Sequence, residues 1–118
     1  GQGEEWKLLE TLKEIEAALK KYGNELEIKL YIAGYTDTVD TKEYNRALSK
    51  KRAAAIGNFF RNHGLKIPIF EKGFGEDVLA VQTPDETQEP RNRRVIYILG
   101  NQPPPKSGAI PADNWTRL

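Results

Sequence analysis

The sequence of 118 residues contains no cysteine, no methionine and a single histidine. Without cysteine the fold has no disulfide framework and the protein has no thiolate chemistry. No apolar run approaches the roughly 18 residues of a membrane-spanning helix, so we expect no membrane insertion by this segment. The missing methionine and the glycine-containing start at residues 1–3 lead us to expect that an upstream signal or anchor has been removed.

A large charge of one sign is also lacking. The 18 Lys and Arg residues nearly balance the 17 Asp and Glu residues, which leaves a formal net charge of +1. A general nucleic-acid or membrane-surface binder needs a clear basic excess. The composition therefore argues against both classes, and Arg91, Arg93 and Arg94 do not indicate a patch that follows a phosphate backbone.

Hydrophobic periodicity predicts long helices and short strands. The first helix repeats apolar residues every three or four positions, and the first strand alternates apolar with polar residues, which is typical of a half-buried strand. The last strand is almost wholly apolar, so we expect it to be covered on both faces or to lie centrally in the sheet. The predicted helices span residues 4–22 and 41–63, the predicted strands 26–33, 67–72 and 95–99, and a short helix is predicted near 84–89.

The order strand, long helix, strand predicts a βαβ unit, in which strands 26–33 and 67–72 are parallel. We therefore predict an α+β fold, a two-layer sandwich with a mixed sheet covered by helices on one side. Residues 1–100 would form this domain. Residues 101–118, which contain three consecutive prolines at 103–105, would form a Pro-rich extended tail.

The stretch 34–52 carries the chemistry that stands out in the sequence. A polar loop with two carboxylates follows the first strand, and three polar helical residues at i, i+4 and i+7 fall within roughly 60° of one helix face. Groups of both charges side by side predict a ligand that is itself a zwitterion. The residues are Asp37 and Asp40 in the loop, and Asn45, Ser49 and Arg52 on the helix.

The start of this helix sets a geometric condition. We predict Asp40 as its N-cap, with Glu43 as the reciprocal member of a capping box. Arg52 then lies roughly 16 Å along the helix, at 1.5 Å per residue. Asp37 can approach Arg52 only if the loop 35–40 folds back along the helix.

Four motifs together resemble the OmpA-like domain, the C-terminal module of outer-membrane protein A, peptidoglycan-associated lipoprotein and flagellar stator B subunits. The resemblance covers about residues 5 to 99. It implies a domain that binds peptidoglycan non-covalently by gripping the diaminopimelate of the stem peptide. The motifs are Gly34-Tyr35-Thr36-Asp37, then Tyr44-Asn45 with Leu48-Ser49 and Arg52-Ala53, then Gly73-Phe74-Gly75-Glu76, and Asn92-Arg93-Arg94-Val95.

The resemblance also implies roles, a location and partners. Asp37 would take the ligand's ammonium and Arg52 its carboxylate. The domain would lie in the periplasm, within an outer-membrane or cell-envelope protein of a Gram-negative bacterium. It would use no cofactor, bind no metal and catalyse no reaction, and a second copy of the chain or an envelope protein stays open as a further partner. The same pocket would be lined by Thr36, Asn45, Arg93 and Arg94.

The chain departs from the family pattern at both ends. The family's domain opens with a strand before the first helix, and that strand is missing here. A sheet edge would then lack a partner. We expect this edge to be covered by the tail Gly100–Leu118, by docking of Trp115, or by a partner chain.

Other functions compete with wall binding. The first is a protein-interaction module that keeps the fold but has lost the ligand. The second is a hydrolase that uses Asp37, Asp40 and Glu43 as acid and base or to hold a metal, although no nucleophile motif accompanies them. Asp37 and Arg52 also have a purely structural interpretation, as a turn residue and an ion pair.

Overall fold

The computed structural model describes residues 2–23 and 27–118, with side chains from residue 4 onward. It confirms the α+β fold, with a mixed sheet and long helices on one side of it. The start of the predicted strand at residue 26 lies outside the described residues. In chain order the elements are α1 (Gln2–Tyr22), β1 (Lys29–Tyr35), α2 (Lys42–Asn62), β2 (Ile69–Gly75), a 3-10 turn (Pro90–Asn92), β3 (Val95–Gly100) and β4 (Thr116–Arg117).

The sheet has the strand order β3-β1-β2-β4 in the described part of the chain. β1 and β2 are parallel, with Leu30 opposite Ile69, so the predicted βαβ unit is confirmed. β3 runs antiparallel to β1, and β4 runs antiparallel to β2. The carboxyl ends of β1 and β2 therefore lie side by side, at the end of the sheet where α2 begins.

The helices cover one face of the sheet. Side chains that alternate along β1 and β2 meet apolar residues of both helices in one buried cluster. Burial of this kind supplies the main favourable contribution to folding. The buried members of the cluster are Leu12, Ile15, Leu30, Ile32, Ala53, Phe60, Leu65 and Ile69.

The tail, residues 101–118, which we call the strap, covers the opposite face. Trp115 meets Tyr31 edge-on at 5.3 Å between ring centroids, and Ile110 is buried in a second apolar cluster with Ala33 and Tyr35. β1 is consequently buried on both faces. The prediction of a half-buried strand is wrong, because alternation in sequence does not show that a distant segment covers the polar-looking face.

The strap also pairs with the edge of the sheet. β4 bonds to β2 with Glu71 opposite Thr116, and the Lys50 ammonium on α2 bonds both the buried Glu71 carboxylate and, at 3.1 Å, the Thr116 hydroxyl. The tail thus covers the sheet edge at β2, whereas Trp115 packs on the face of the sheet against Tyr31. The covering of the edge left by the missing family strand stays a prediction. At the other edge, no strand among the described residues pairs with the outer side of β3.

In the described part of the chain β3 is therefore an edge strand, so the central position, one of the two alternatives predicted for it, does not hold. Its predicted covering on both faces is right. Alternate residues pack on the helix side and on the strap side, which explains why almost the whole strand is apolar. The helix side carries Val95, Tyr97 and Leu99, and the strap side carries Ile96 and Ile98.

Two local predictions are corrected. The N-cap of α2 is Thr41, whose hydroxyl accepts a hydrogen bond from the Tyr44 N–H at 3.1 Å. Asp40 lies one residue earlier with φ of 74°, which is the left-handed region, so it cannot take the extended conformation of an N-cap. The predicted helix at 84–89 is absent from the structure, which has only the 3-10 turn at Pro90–Asn92 there.

Gly73 provides a test of the helix–sheet contact. An added Cβ would lie 2.7 Å from the Arg46 carbonyl oxygen and 2.6 Å from the Ser49 hydroxyl oxygen. Because the α2 backbone cannot give way easily, we expect Gly73→Ala to lower the free energy of unfolding by about 1–3 kcal/mol. Urea denaturation would measure this, with Gly108→Ala as the control, since nothing lies within 4 Å of its added Cβ. Equal stability of the two variants would contradict the close approach.

Candidate functional site

Asp37 lies two residues beyond β1, at the carboxyl end of the strand, where ligands of α/β sheets usually bind. Its residue is only 5% exposed. One carboxylate oxygen, Oδ1, accepts from the Val39 N–H at 3.2 Å. The other, Oδ2, accepts from the Glu89 N–H at 3.2 Å and from Arg93 Nη1 at 2.7 Å.

These contacts keep Asp37 ionised. Burial by itself would raise the pKa of its carboxyl group. The backbone N–H groups of Glu89 and Val39 and the Arg93 guanidinium outweigh burial, so the pKa of Asp37 lies below its usual value. The site therefore presents a fixed negative charge at neutral pH.

Asn45 shows how the loop after β1 reaches the helix. Its side-chain amide nitrogen donates to the Val39 carbonyl at 2.7 Å, to the Asp37 carbonyl at 3.3 Å and to Glu76 Oε1 at 3.1 Å. The loop thus folds back along the first turns of α2, as the approach of Asp37 to the helix requires. Since these three acceptors use the amide hydrogens, Asn45 shapes the site and does not offer them to a ligand.

Thr36 and Ser49 are both buried. The Thr36 hydroxyl donates to the Asp37 carbonyl at 2.9 Å and holds the turn. The Ser49 hydroxyl donates to the Arg46 carbonyl at 3.0 Å and accepts from the Gly75 N–H at 2.9 Å, which joins α2 to β2. Both residues stabilise the backbone around Asp37: Thr36 holds the turn after β1, and Ser49 holds α2 against β2.

The predicted arginines are placed differently from one another. Arg93 bonds directly to Asp37. Arg94 is turned away, with its guanidinium carbon 4.0 Å from the centre of the Tyr35 ring. Arg52 is exposed on α2, and none of the hydrogen bonds that the described residues make to the Asp37 carboxylate comes from it. The structure therefore brings Asp37, Asn45 and Arg93 together, and it leaves Arg52 at the surface.

Sequence reasoning assigned no role to Glu76, Thr38 or Glu89. Glu76 follows β2 inside a recognised motif, which was the only signal for it. The Thr38 hydroxyl donates to the Pro84 carbonyl at 2.8 Å and accepts from the Thr87 N–H at 3.0 Å, so it fixes the long loop beside Asp37. Glu89 contributes a backbone N–H from 52 positions away, and the residue type of Glu89 does not reveal such a contact.

A cleft of about 350 Å³ adjoins this cluster through Glu76. Its walls carry three carboxylates and one ammonium group, so its potential favours a cationic group on a ligand. Among the described residues, no group of three or more His, Asp or Glu side chains is placed to hold a metal ion. The cleft is lined by Thr38, Asp40, Thr41, Lys42, Glu76, Leu79, Thr83 and Asp85.

In the described residues, no helix combines the length and the hydrophobicity needed to cross a membrane. Fold and site together define an OmpA-like domain, with a carboxylate-bearing loop at the end of a parallel strand. The chain belongs to the OmpA family, whose sequence profile matches residues 5–93.

Individual curated proteins are similar to this chain over part of their length. Photosystem I P700 chlorophyll a apoprotein A2 of Gloeobacter violaceus is 31% identical over 104 residues, which cover 82% of this chain and 12% of that protein. The peptidoglycan-associated lipoprotein of Pasteurella multocida is 33% identical over 69 residues, or 58% of this chain and 46% of that protein. The chain thus spans less than half the length of these curated relatives.

A solved structure is similar as well. The OmpA-like domain of FopA1 from Francisella tularensis matches with a TM-score of 0.51 and 28% identity. The match covers 70% of this chain and 55% of that one. It confirms the predicted family and the predicted fold class.

The lowered pKa of Asp37 predicts a pH effect on stability. A carboxyl group whose pKa is depressed by folding stabilises the protein above its unfolded-state pKa, about 3.9, and this contribution is lost as the pH falls through the folded-state value. We expect Asp37→Asn to lower the free energy of unfolding at pH 7 by about 2 kcal/mol, because hydrogen bonds to a charged group are lost. We also expect a shallower loss of stability below pH ~4.

Urea denaturation at several pH values between about 7 and 2.5 would measure both effects. Asp113→Asn is the control, since that carboxylate is exposed and lies 4.0 Å from its Lys106 partner. An Asp37→Asn variant with the stability and the acid slope of wild type would contradict the interpretation.

Proposed function

We propose that this domain is a non-covalent peptidoglycan-binding anchor of the bacterial envelope that recognises the diaminopimelate of the stem peptide. The observation that carries the proposal is the fixed carboxylate of Asp37, a counter-charge for a ligand ammonium, next to Thr38, which lines the acidic cleft. Membership of the OmpA family and similarity to a peptidoglycan-associated lipoprotein support it. Together these favour binding of the wall over catalysis.

The contacts of Asp37 indicate how the ammonium would bind. Oδ1 accepts one hydrogen bond, from Val39, whereas Oδ2 accepts two. A carboxylate oxygen accepts about two hydrogen bonds, so Oδ1 retains a lone pair for the ligand. The acidic cleft beside the loop favours the same cationic group.

The ligand's carboxylate requires a guanidinium on the other side. Arg52 lies seven residues after Asn45 on a similar bearing, about 10 Å farther along α2, and helical side chains lean toward the N-terminus of their helix. A bound amino-acid head group would bridge the distance between Asp37 and Arg52. The Arg93 side chain is 42% exposed, so it also has donors to share with the ligand. Thr36 and Arg94 would act as supports.

One observation favours the alternative, a protein-interaction module that has lost the ligand. Arg93 already neutralises Asp37 at 2.7 Å. A ligand ammonium must therefore add to an existing ion pair, and its gain is smaller than at a free carboxylate. Binding to purified wall sacculi separates the two functions, because only the anchor co-sediments with them.

Ligand selectivity is the sharpest test of the proposed recognition. Loss of one member of a partly desolvated charge pair typically costs about 2–5 kcal/mol. We therefore expect Asp37→Asn and Arg52→Ala each to weaken muropeptide binding by about ten-fold or more, at about 1.4 kcal/mol per decade. Lysine-type stem peptides lack the carboxylate beside the side-chain amine, so we expect wild type to bind them much more weakly and Arg52→Ala to lose most of this preference.

Calorimetry with matched diaminopimelate and lysine muropeptides would measure these effects on folded variants. Lys51→Ala is a matched control for Arg52→Ala, because it removes a neighbouring exposed positive charge from the same helix. Equal affinity of wild type for the two ligands, or undiminished binding by Arg52→Ala, would refute the recognition of the head group.

Binding should leave the wall intact. The cluster around Asp37 offers charged groups for recognition, and the Asp37 carboxylate is ionised and bonded to three donors, so it is poorly suited to act as a general acid. We expect sacculi incubated with the pure domain to release no soluble muropeptides. Release by wild type that Asp37→Ala abolishes would show hydrolysis instead, and a muramidase would serve as the positive control.

A further inference from the structure

The strap reaches the back of the proposed site through Tyr35. The Tyr35 hydroxyl donates to the Ala109 carbonyl oxygen at 2.6 Å. Tyr35 is buried, burial raises the pKa of its hydroxyl, and its ring stacks on Phe74 at 5.5 Å. Since Tyr35 is the last residue of β1 and lies two residues before Asp37, its position sets the direction in which the loop leaves the sheet.

Arg94, the residue just before β3, joins the same arrangement. Its guanidinium carbon lies 4.0 Å from the centre of the Tyr35 ring, and its carbonyl accepts from the Tyr35 N–H at 3.0 Å. Arg94 Nη1 also donates to the Val78 carbonyl at 3.3 Å. Ring and guanidinium are therefore held together by a main-chain bond and by a cation–π contact.

The turn before β3 links this arrangement to Asp37. Asn92 is fully buried, and its side chain makes two hydrogen bonds with the Val81 backbone, each 2.9 Å long. Successive side chains in an extended segment point to opposite sides. Arg94 accordingly lies on the strap side against Tyr35, and Arg93 bonds to Asp37 Oδ2 on the site side.

The strap itself is held by hydrogen bonds in its middle and at its C-terminal end. Near Ala109, the Ser107 N–H donates to the Ile110 carbonyl at 2.8 Å and the Ile110 N–H donates to the Ser107 hydroxyl at 3.1 Å, which forms a turn that presents the Ala109 carbonyl. At the far end, the Leu118 N–H donates to the Ile69 carbonyl at 2.9 Å. The position of the Ala109 carbonyl, which accepts from the Tyr35 hydroxyl, is therefore set by bonds within the strap and does not depend on Tyr35.

We propose that the strap is a positioning element of the Asp37 site. The strap holds Tyr35 and Arg94 on the strap side of the sheet. These two residues fix the turn before β3, and this turn places Arg93 against Asp37. The part that concerns ligand affinity rests on the proposed function, whereas the coupling between strap and Asp37 does not. The strap thus contributes to binding without contacting the ligand.

The test uses two conservative variants and a matched control in the intact chain. Tyr35→Phe removes the hydroxyl that bonds to the strap and keeps the ring under Arg94. Arg94→Lys keeps the positive charge and loses the planar stacking group, so its effect on Asp37 reports geometry and not charge. Tyr31→Phe is the control, because Tyr31 lies on the same face but packs against Phe70 and Trp115, away from the loop.

One readout needs no ligand. NMR titration of the Asp37 carboxyl should show its pKa rising toward the ordinary value of about 3.9 in Tyr35→Phe and in Arg94→Lys, because Arg93 is held less firmly. Tyr31→Phe should leave it unchanged. The second readout is calorimetry with a diaminopimelate muropeptide. Since Arg93 is proposed to share its donors with the ligand, a displaced Arg93 predicts about five-fold weaker binding by Tyr35→Phe.

The outcomes are distinguishable. A folded Tyr35→Phe or Arg94→Lys variant with lower stability but an unchanged Asp37 pKa and unchanged affinity would reduce the strap to a structural cover and overturn the proposal. If wild type fails to bind the muropeptide, the proposed ligand is wrong, yet the Asp37 titration still decides whether the strap positions the site. If Tyr35→Phe does not fold, Arg94→Lys decides by the same two readouts.

Discussion

The candidate site depends on the hydrogen bonds of the buried Asn45 side chain. Its amide joins the loop after β1, the first turns of α2 and Glu76 beyond β2. A buried amide left without partners would cost about 1–3 kcal/mol, so these parts of the chain must keep their mutual positions. The amide reaches all three because α2 lies very close to the strands, and an added Cβ at Gly75 would be only 2.7 Å from the Arg46 nitrogen.

This rigid frame explains the state of Asp37. Withdrawal from water alone would favour the neutral acid, but two backbone N–H groups and the Arg93 guanidinium are aimed at the carboxylate. Backbone donors are not removed when a side chain is truncated, and the Arg93 side chain is 42% exposed. The negative charge is therefore fixed in position, and among the described residues Arg93 supplies its charged partner. In the proposed function, Arg93 keeps its pairing with Asp37 and offers its remaining donors to the ligand's carboxylate, so the position of Arg93 would be a determinant of affinity.

The fold could be predicted from the sequence to the extent that local patterns determine it. Periodicity placed both long helices and the parallel strands, and the motif at Gly34–Asp37 marked the loop that carries the site. The pairing of Asp37 with Arg93 spans 56 positions, and only the resemblance to the family, not any local pattern, placed an arginine of that turn near the loop. The direction of each arginine remained open, because Arg93 and Arg94 are adjacent in sequence and lie on opposite sides of the structure.

The strap could be predicted only in part, for a similar reason. Three consecutive prolines indicate an extended chain, but they do not determine where it packs. The family profile ends at residue 93, and the strap, residues 101–118, lies outside the shared pattern.

The outer face of β1 and β2 carries large aromatic side chains that would otherwise contact water, at Tyr31, Tyr35, Phe70 and Phe74, and the strap places Trp115 and Ile110 against this face. Contiguous apolar patches of this kind are seldom left exposed. The aromatic side chains of these two strands and the apolar residues of the strap therefore bury each other and depend on one another. A substitution on either side of that contact should change the packing of the other side. Through Tyr35 it should also change the position of the loop that carries Asp37.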